Sequence, residues 1–97
     1  MMKVELWLRV ERNNKYVRGK KKVRAEIEQF VLQPYGMQKP DKDGWEYLLF
    51  IPYQTDEELD DIVHGLLQEA QTIADARHCF IEADAHQTDI GKRRMGA

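Results

Sequence analysis

Ninety-seven residues, 42% of them apolar and 33% charged with a net charge of −2, describe one domain able to bury a core without disulfide or metal staples. A single cysteine leaves no internal disulfide, no apolar run approaches the ~18 residues of a membrane span, and the opening MMKVELWLRVER is too short and too charged for a signal peptide, so a cytoplasmic chain is expected. The charges are segregated: residues 1–24 hold nine Lys and Arg against two acids, a net +7, and residues 41–90 carry a net −11, so the two blocks either neutralise each other or present a basic face to phosphates or an acidic partner.

KVELWLRVE alternates strictly, with Val4, Leu6, Leu8 and Val10 on one side and Lys3, Glu5, Trp7, Arg9 and Glu11 on the other, the pattern of a half-buried strand. RNNKYVRG reads as a loop. From Lys20 to about Leu32, Val23, Ile27, Phe30 and Val31 recur at helical spacing, and Pro34 stands where such a helix stops. QKPDKDG is a turn cluster, and WEYLLFIPY after it is a strand that Pro52 ends. Thr55 and Glu58 form a capping box for a second helix of about 20 residues, with Asp56 and Glu57 suited to its positive end. Its apolar stripe runs through Leu59, Ile62, Val63, Leu66, Leu67, Ala70, Ile73 and Ala74. HCFIEADA reads as the last strand, completing one domain over residues 1–90, and residues 91–97 form a basic, flexible tail.

Two amphipathic helices, each with one apolar stripe, most simply cover the same face of a sheet. The expected fold is therefore an α+β two-layer sandwich, two helices on a sheet of three or four strands. With a short extra strand near Tyr35 to Lys39 it is a ferredoxin-like βαββαβ; without it, the three-stranded variant. The other face of the sheet stays open and holds Trp7 beside Lys3 and Arg9, an unusual place for tryptophan.

The aromatic of LWLRV and the segment GWEYLLF resemble the first-strand and third-strand patterns of the RNA-recognition motif over about a dozen residues, though Asp43 and Glu46 stand where that family has a basic and a small residue. The resemblance implies single-stranded RNA stacked on Trp7, Trp45 and Tyr47. The opposite register buries Trp45, Tyr47, Leu49 and Ile51 and leaves Glu46, Leu48 and Phe50 outside with Trp7, and Phe80 beside them. An apolar open face of that kind suits a homodimer or a protein partner.

Catalytic chemistry finds little support. The chain has no serine and no glycine-rich phosphate loop, and Cys79 reads as a buried thiol whose neighbour His78 points to the opposite strand face. His78 and His86 stand too far apart on a strand to share an ion, and the acids of TDEELDD fit helix capping better than calcium binding. No enzyme activity, cofactor, metal or small-molecule substrate is expected, and no membrane partner.

Three lysines at a helix start cost ~0.3–1 kcal/mol each unless an anion or a carboxylate offsets them. Lys22 with Glu26 and Arg24 with Glu28 can pair along the helix, whereas Lys20 and Lys21 have no partner in reach of sequence reasoning. With Arg12, Lys15 and Arg18 these residues, Lys20 to Lys22 and Arg24 form a candidate anion or nucleic-acid site. Trp7, Arg9, Phe50 and Phe80 form a candidate sheet-face site. The expected function is a small protein-interaction module, an adaptor, regulator or inhibitor of a larger complex, with nucleic-acid binding through the basic region as the alternative.

Overall fold

The computed structural model describes residues 2–87, so the basic tail expected at 91–97 lies outside the described residues. The chain runs β1 (Met2–Arg12), α1 (Lys20–Ile27), a π turn (Glu28–Leu32), a 3-10 turn (Gln33–Tyr35), β2 (Tyr47–Tyr53), α2 (Asp56–Asp75) and β3 (Cys79–Gln87). The sheet order is β2-β1-β3, with both pairings antiparallel. This is the three-stranded α+β arrangement, and the four-stranded ferredoxin-like alternative is not formed. At the place of the extra strand there is one isolated bridge, with Gln38 and Leu48 exchanging N–H···O bonds of 2.9 and 3.0 Å. Pro34, Gly36 and Pro40 crowd that segment, and proline's missing donor and fixed φ prevent a longer ladder.

The alternation of β1 becomes a division between layers. Val4, Leu6, Leu8 and Val10 are buried under the helices, joined on β2 by Tyr47, Leu49, Ile51 and Tyr53 and on β3 by Cys79. The strand of β2 begins at Tyr47 rather than Trp45 and continues through Pro52, which β2 tolerates because it lies on the sheet's edge. Glu58 donates its backbone N–H to Thr55 Oγ1 at 3.1 Å, the cap expected for α2, and Leu59, Leu66, Ala70 and Ala74 of its stripe are buried.

The first helix departs from regular periodicity. After Ile27 the chain widens into a π turn, which places one more residue in the turn and carries Val31 and Leu32 into the core. Phe30, expected in the apolar stripe, is instead 65% exposed. The start of α1 has no capping side chain: Gly19 occupies the cap, and a Cβ there would lie 2.7 Å from Arg77 Cβ. Arg77 crosses this point to pair with Glu26 at 3.0 Å, so Glu26 serves α2's exit rather than Lys22. His78 is not in a strand. It sits in the left-handed region at φ 59° where α2 turns into β3, and its carbonyl accepts from Asn13 N–H at 3.0 Å.

Candidate functional site

Two surfaces collect the residues singled out from the sequence. The first is the sheet face that neither helix covers. Pairing sets Trp7 of the central strand between Leu48 on β2 and Asp84 on β3, and Glu5 between Phe50 and His86. Phe80 lies opposite Glu11, farther along the same face. Trp7, Leu48, Phe50 and Phe80 are each half-buried, and the Trp7 indole N–H is enclosed with no acceptor among the described residues. An enclosed donor without an acceptor costs about 1–3 kcal/mol, so the centre of this face is poorly satisfied in the isolated chain.

Arg9, assigned to the same face, is already engaged. Its guanidinium donates to the Glu82 carboxylate on β3, with Nε to Oε2 at 3.0 Å, and lies 4.9 Å over the Trp45 ring. Trp45 is therefore neither a free stacking platform nor a core residue: it precedes β2 and lies half-buried against a cation. Tyr47 is only 5% exposed, which overturns the register in which it would stack a base.

The second surface is the loop from β1 into α1. A groove of about 440 Å³ is lined by Arg12, Lys15, Tyr16, Val17, Arg18 and Lys20, and Tyr16 is 77% exposed with the Lys15 ammonium 5.3 Å from its ring centre. Lys21 and Lys22 are exposed on the first turn of α1. Lys20 and Arg24 are not free: Glu46 Oε2 lies 3.3 Å from Lys20 Nζ and 3.6 Å from Arg24 Nη1, while Glu46 Oε1 accepts from the Val10 backbone N–H at 2.7 Å. Sequence reasoning singled out Glu46 as a departure from the RNA-recognition pattern but missed these bonds. β2 begins two residues late, at Tyr47, the Val10 donor on β1 loses its ladder partner, and Glu46 replaces it with a side chain that also offsets the first turn's lysine.

Arg24 and Glu28, expected to pair directly, meet through Tyr47. The Tyr47 hydroxyl accepts from Arg24 Nε at 3.0 Å and donates to Glu28 Oε2 at 2.5 Å. Burial first, and then the bond to Glu28, pushes the phenol well above its ordinary value of 10.0. Burial likewise raises the Cys79 thiol above 9.0. Both groups are held neutral by folding, so their contributions are complete below the unfolded values and lost as pH rises through the folded ones. The urea midpoint is therefore expected to fall in alkali from about pH 9 upward. In Tyr47→Phe that fall should be shallower; an unchanged alkaline slope would show that Tyr47 ionisation does not contribute.

Among the described residues no three His, Cys, Asp or Glu side chains gather as a metal site, and no helix is long and apolar enough to cross a membrane. Cys79 is enclosed, its thiol 3.6 Å from the Arg77 carbonyl, and His78 stands in a turn rather than on an opposing strand face. Comparison with protein-family models, with curated proteins and with solved structures finds no match to this chain.

Proposed function

We propose that this chain is a non-enzymatic protein-interaction module that works by covering the open face of its sheet with a protein surface, a second copy being the simplest occupant. The observation that carries this reading is the register that lines up Trp7 with Leu48 and brings Phe50 onto the same uncovered face. These side chains form an apolar centre, and Lys3, Glu5, Arg9 and Glu11 on the same strand face supply both signs of charge around it. A two-fold axis through such a face can set apolar centre on apolar centre and cation against carboxylate. Sedimentation velocity over a wide concentration range tests it: the chain should dimerise and Phe50→Glu should remain monomeric, with an unfolding midpoint equal to that of the parent at concentrations where the parent is itself monomeric. A monomer at every concentration would remove the self-covered form.

A second reading follows from the groove of Arg12, Lys15, Arg18 and Lys20 beside the exposed Tyr16, a combination suited to nucleic-acid phosphate and a stacked base. Labelled single-stranded RNA added at low and moderate salt separates the two. Salt-sensitive binding lost on joint replacement of Lys15, Arg18 and Lys21 by Gln would promote it, whereas an apolar sheet-face contact should barely respond to salt.

A further inference from the structure

We infer that the outer edge of β3 is a strand-addition site for an extended, Lys- or Arg-bearing segment of another protein. Among the described residues β3 has a neighbour on one side only, β1. The direction of its free backbone groups follows from the pairing. Val10 N–H and Leu8 carbonyl both bond Glu46, on the β2 side of β1. Val10 opposite Ile81, Leu8 opposite Ala83 and Leu6 opposite Ala85 are therefore the wide, non-hydrogen-bonded pairs, and Ile81, Ala83 and Ala85 turn their N–H and C=O groups away from β1. The Ile81 N–H demonstrates this direction, because it donates outward to Gln71 Oε1 of α2 at 2.9 Å. Beyond Gln71, Ala83 and Ala85 are exposed.

The two edges of the sheet are treated differently. The β2 edge carries Pro52 and the bridge to Gln38, both of which prevent further pairing. The β3 edge has neither lysine nor proline between Cys79 and Gln87. Beside it lies a groove of about 480 Å³ between α2 and β3, lined in part by His64, Leu67, Gln71, Ile81 and Ala83. An added strand would pair its backbone with Ala83 and Ala85. One set of alternate side chains would enter the groove against Leu67 and Ile81, and the other would stand beside Glu82 and Asp84.

Charge selects the occupant. Between Asp56 and Asp75, α2 carries seven acids and no Lys or Arg, and β3 adds Glu82 and Asp84. A second copy pairing two-fold about Ala83 would set Asp84 opposite Glu82, which is already bonded to Arg9, and would bring no cation to Asp84 or Asp75. A cationic strand meets Asp75 on the helix side of the groove and Asp84 on the sheet side instead, Glu82 being already bonded to Arg9. Glu82 and Asp84 stand at the rim of the face of Trp7, but the outward backbone groups of Ala83 and Ala85 and the groove against α2 lie off that face, so strand addition does not require the face to be covered.

A fluorescein-labelled peptide of alternating lysine and valine, followed by anisotropy with the full chain, tests it. Binding is expected, weakened about tenfold or more when alternate amides of the peptide are N-methylated, because each lost backbone bond is worth a large part of a tenfold step. Ala83→Pro should abolish it, since its lost N–H faces outward and the ladder to β1 keeps all its donors; an unchanged circular dichroism spectrum and unfolding midpoint accompany that result. Asp84→Lys should reverse the preference toward a glutamate–valine peptide, and Phe50→Glu should leave binding intact. The inference is overturned if the peptide fails to bind, if N-methylation or Asp84→Lys has no effect, or if the edge is instead occupied by a second copy whose dimer Ala83→Pro dissociates.

Discussion

Replacing Glu46 with alanine is expected to destabilise the protein by about 2–3 kcal/mol, measured as the shift in urea unfolding free energy. The largest part is the Val10 N–H, whose acceptor among the described residues is Glu46 Oε1; an orphaned donor costs about 1–3 kcal/mol. The pairs with Lys20 and Arg24 add less, because those side chains are 35% and 42% exposed and screened by solvent. Glu46→Gln separates the two, since it keeps an amide oxygen for Val10 while removing the charge, and its cost should be about half. The same variant uncovers Lys20. If the loop groove binds phosphate, Glu46→Gln should bind polyanions more tightly than the parent while being less stable. Equal stability of parent and Glu46→Ala would show that Val10 finds another acceptor and that the β1–β2 end relaxes.

Leu8→Ala should cost more still, about 3–5 kcal/mol. Leu8 is 1% exposed at the centre of the middle strand, packed in the same cluster as Leu49, Ile51 and Val23, and a deletion there leaves a cavity walled on one side by a sheet that cannot close on it. Its neighbour Trp7 provides the contrast. Trp7→Ala removes a larger side chain from the uncovered face and eliminates an unsatisfied indole donor, so its stability loss should be smaller than that of Leu8→Ala. Chemical denaturation of the two single variants, side by side with sedimentation, would then show the two faces of one strand carrying separate duties: stability on Leu8, association on Trp7. A larger loss for Trp7→Ala than for Leu8→Ala would place the structural weight on the open face and sink that division.

The layers were legible because burial imposes a period. A strand buried on one face must alternate, as β1 does, and a helix buried along one stripe must repeat at three and four, as α2 does. The π turn broke the same reasoning at Phe30. A periodic stripe assumes a constant number of residues per turn, and the extra residue between Ile27 and Leu32 is decided by how the helix end meets the core, which no local window contains. The lysines at the start of α1 failed for a related reason. Their helical neighbours could be enumerated, but Glu46 reaches Lys20 only because β2 begins late and leaves Val10 in need of an acceptor. The conspicuous oddity in the sequence, a carboxylate in front of an aromatic strand, was the other half of the same interaction. The edge of β3 went unread because an unpaired edge is a property of strand order, and Ala83 and Ala85 say nothing locally about which side of them is empty.

The strand order also governs how the chain can fold. The central strand is the first one in the sequence, and both of its neighbours come from far downstream: Val4 pairs with Ile51, and Leu6 pairs with Ala85. Among the described residues no hairpin exists to nucleate the sheet, so each of these ladders requires closure of a long loop before it returns any stabilisation. Helices can form early, but β1 remains an unpaired amphipathic segment until most of the chain has been synthesised. Its alternating Lys3, Glu5, Arg9 and Glu11 keep that waiting strand charged on one side, a safeguard against premature association during the slowest part of assembly.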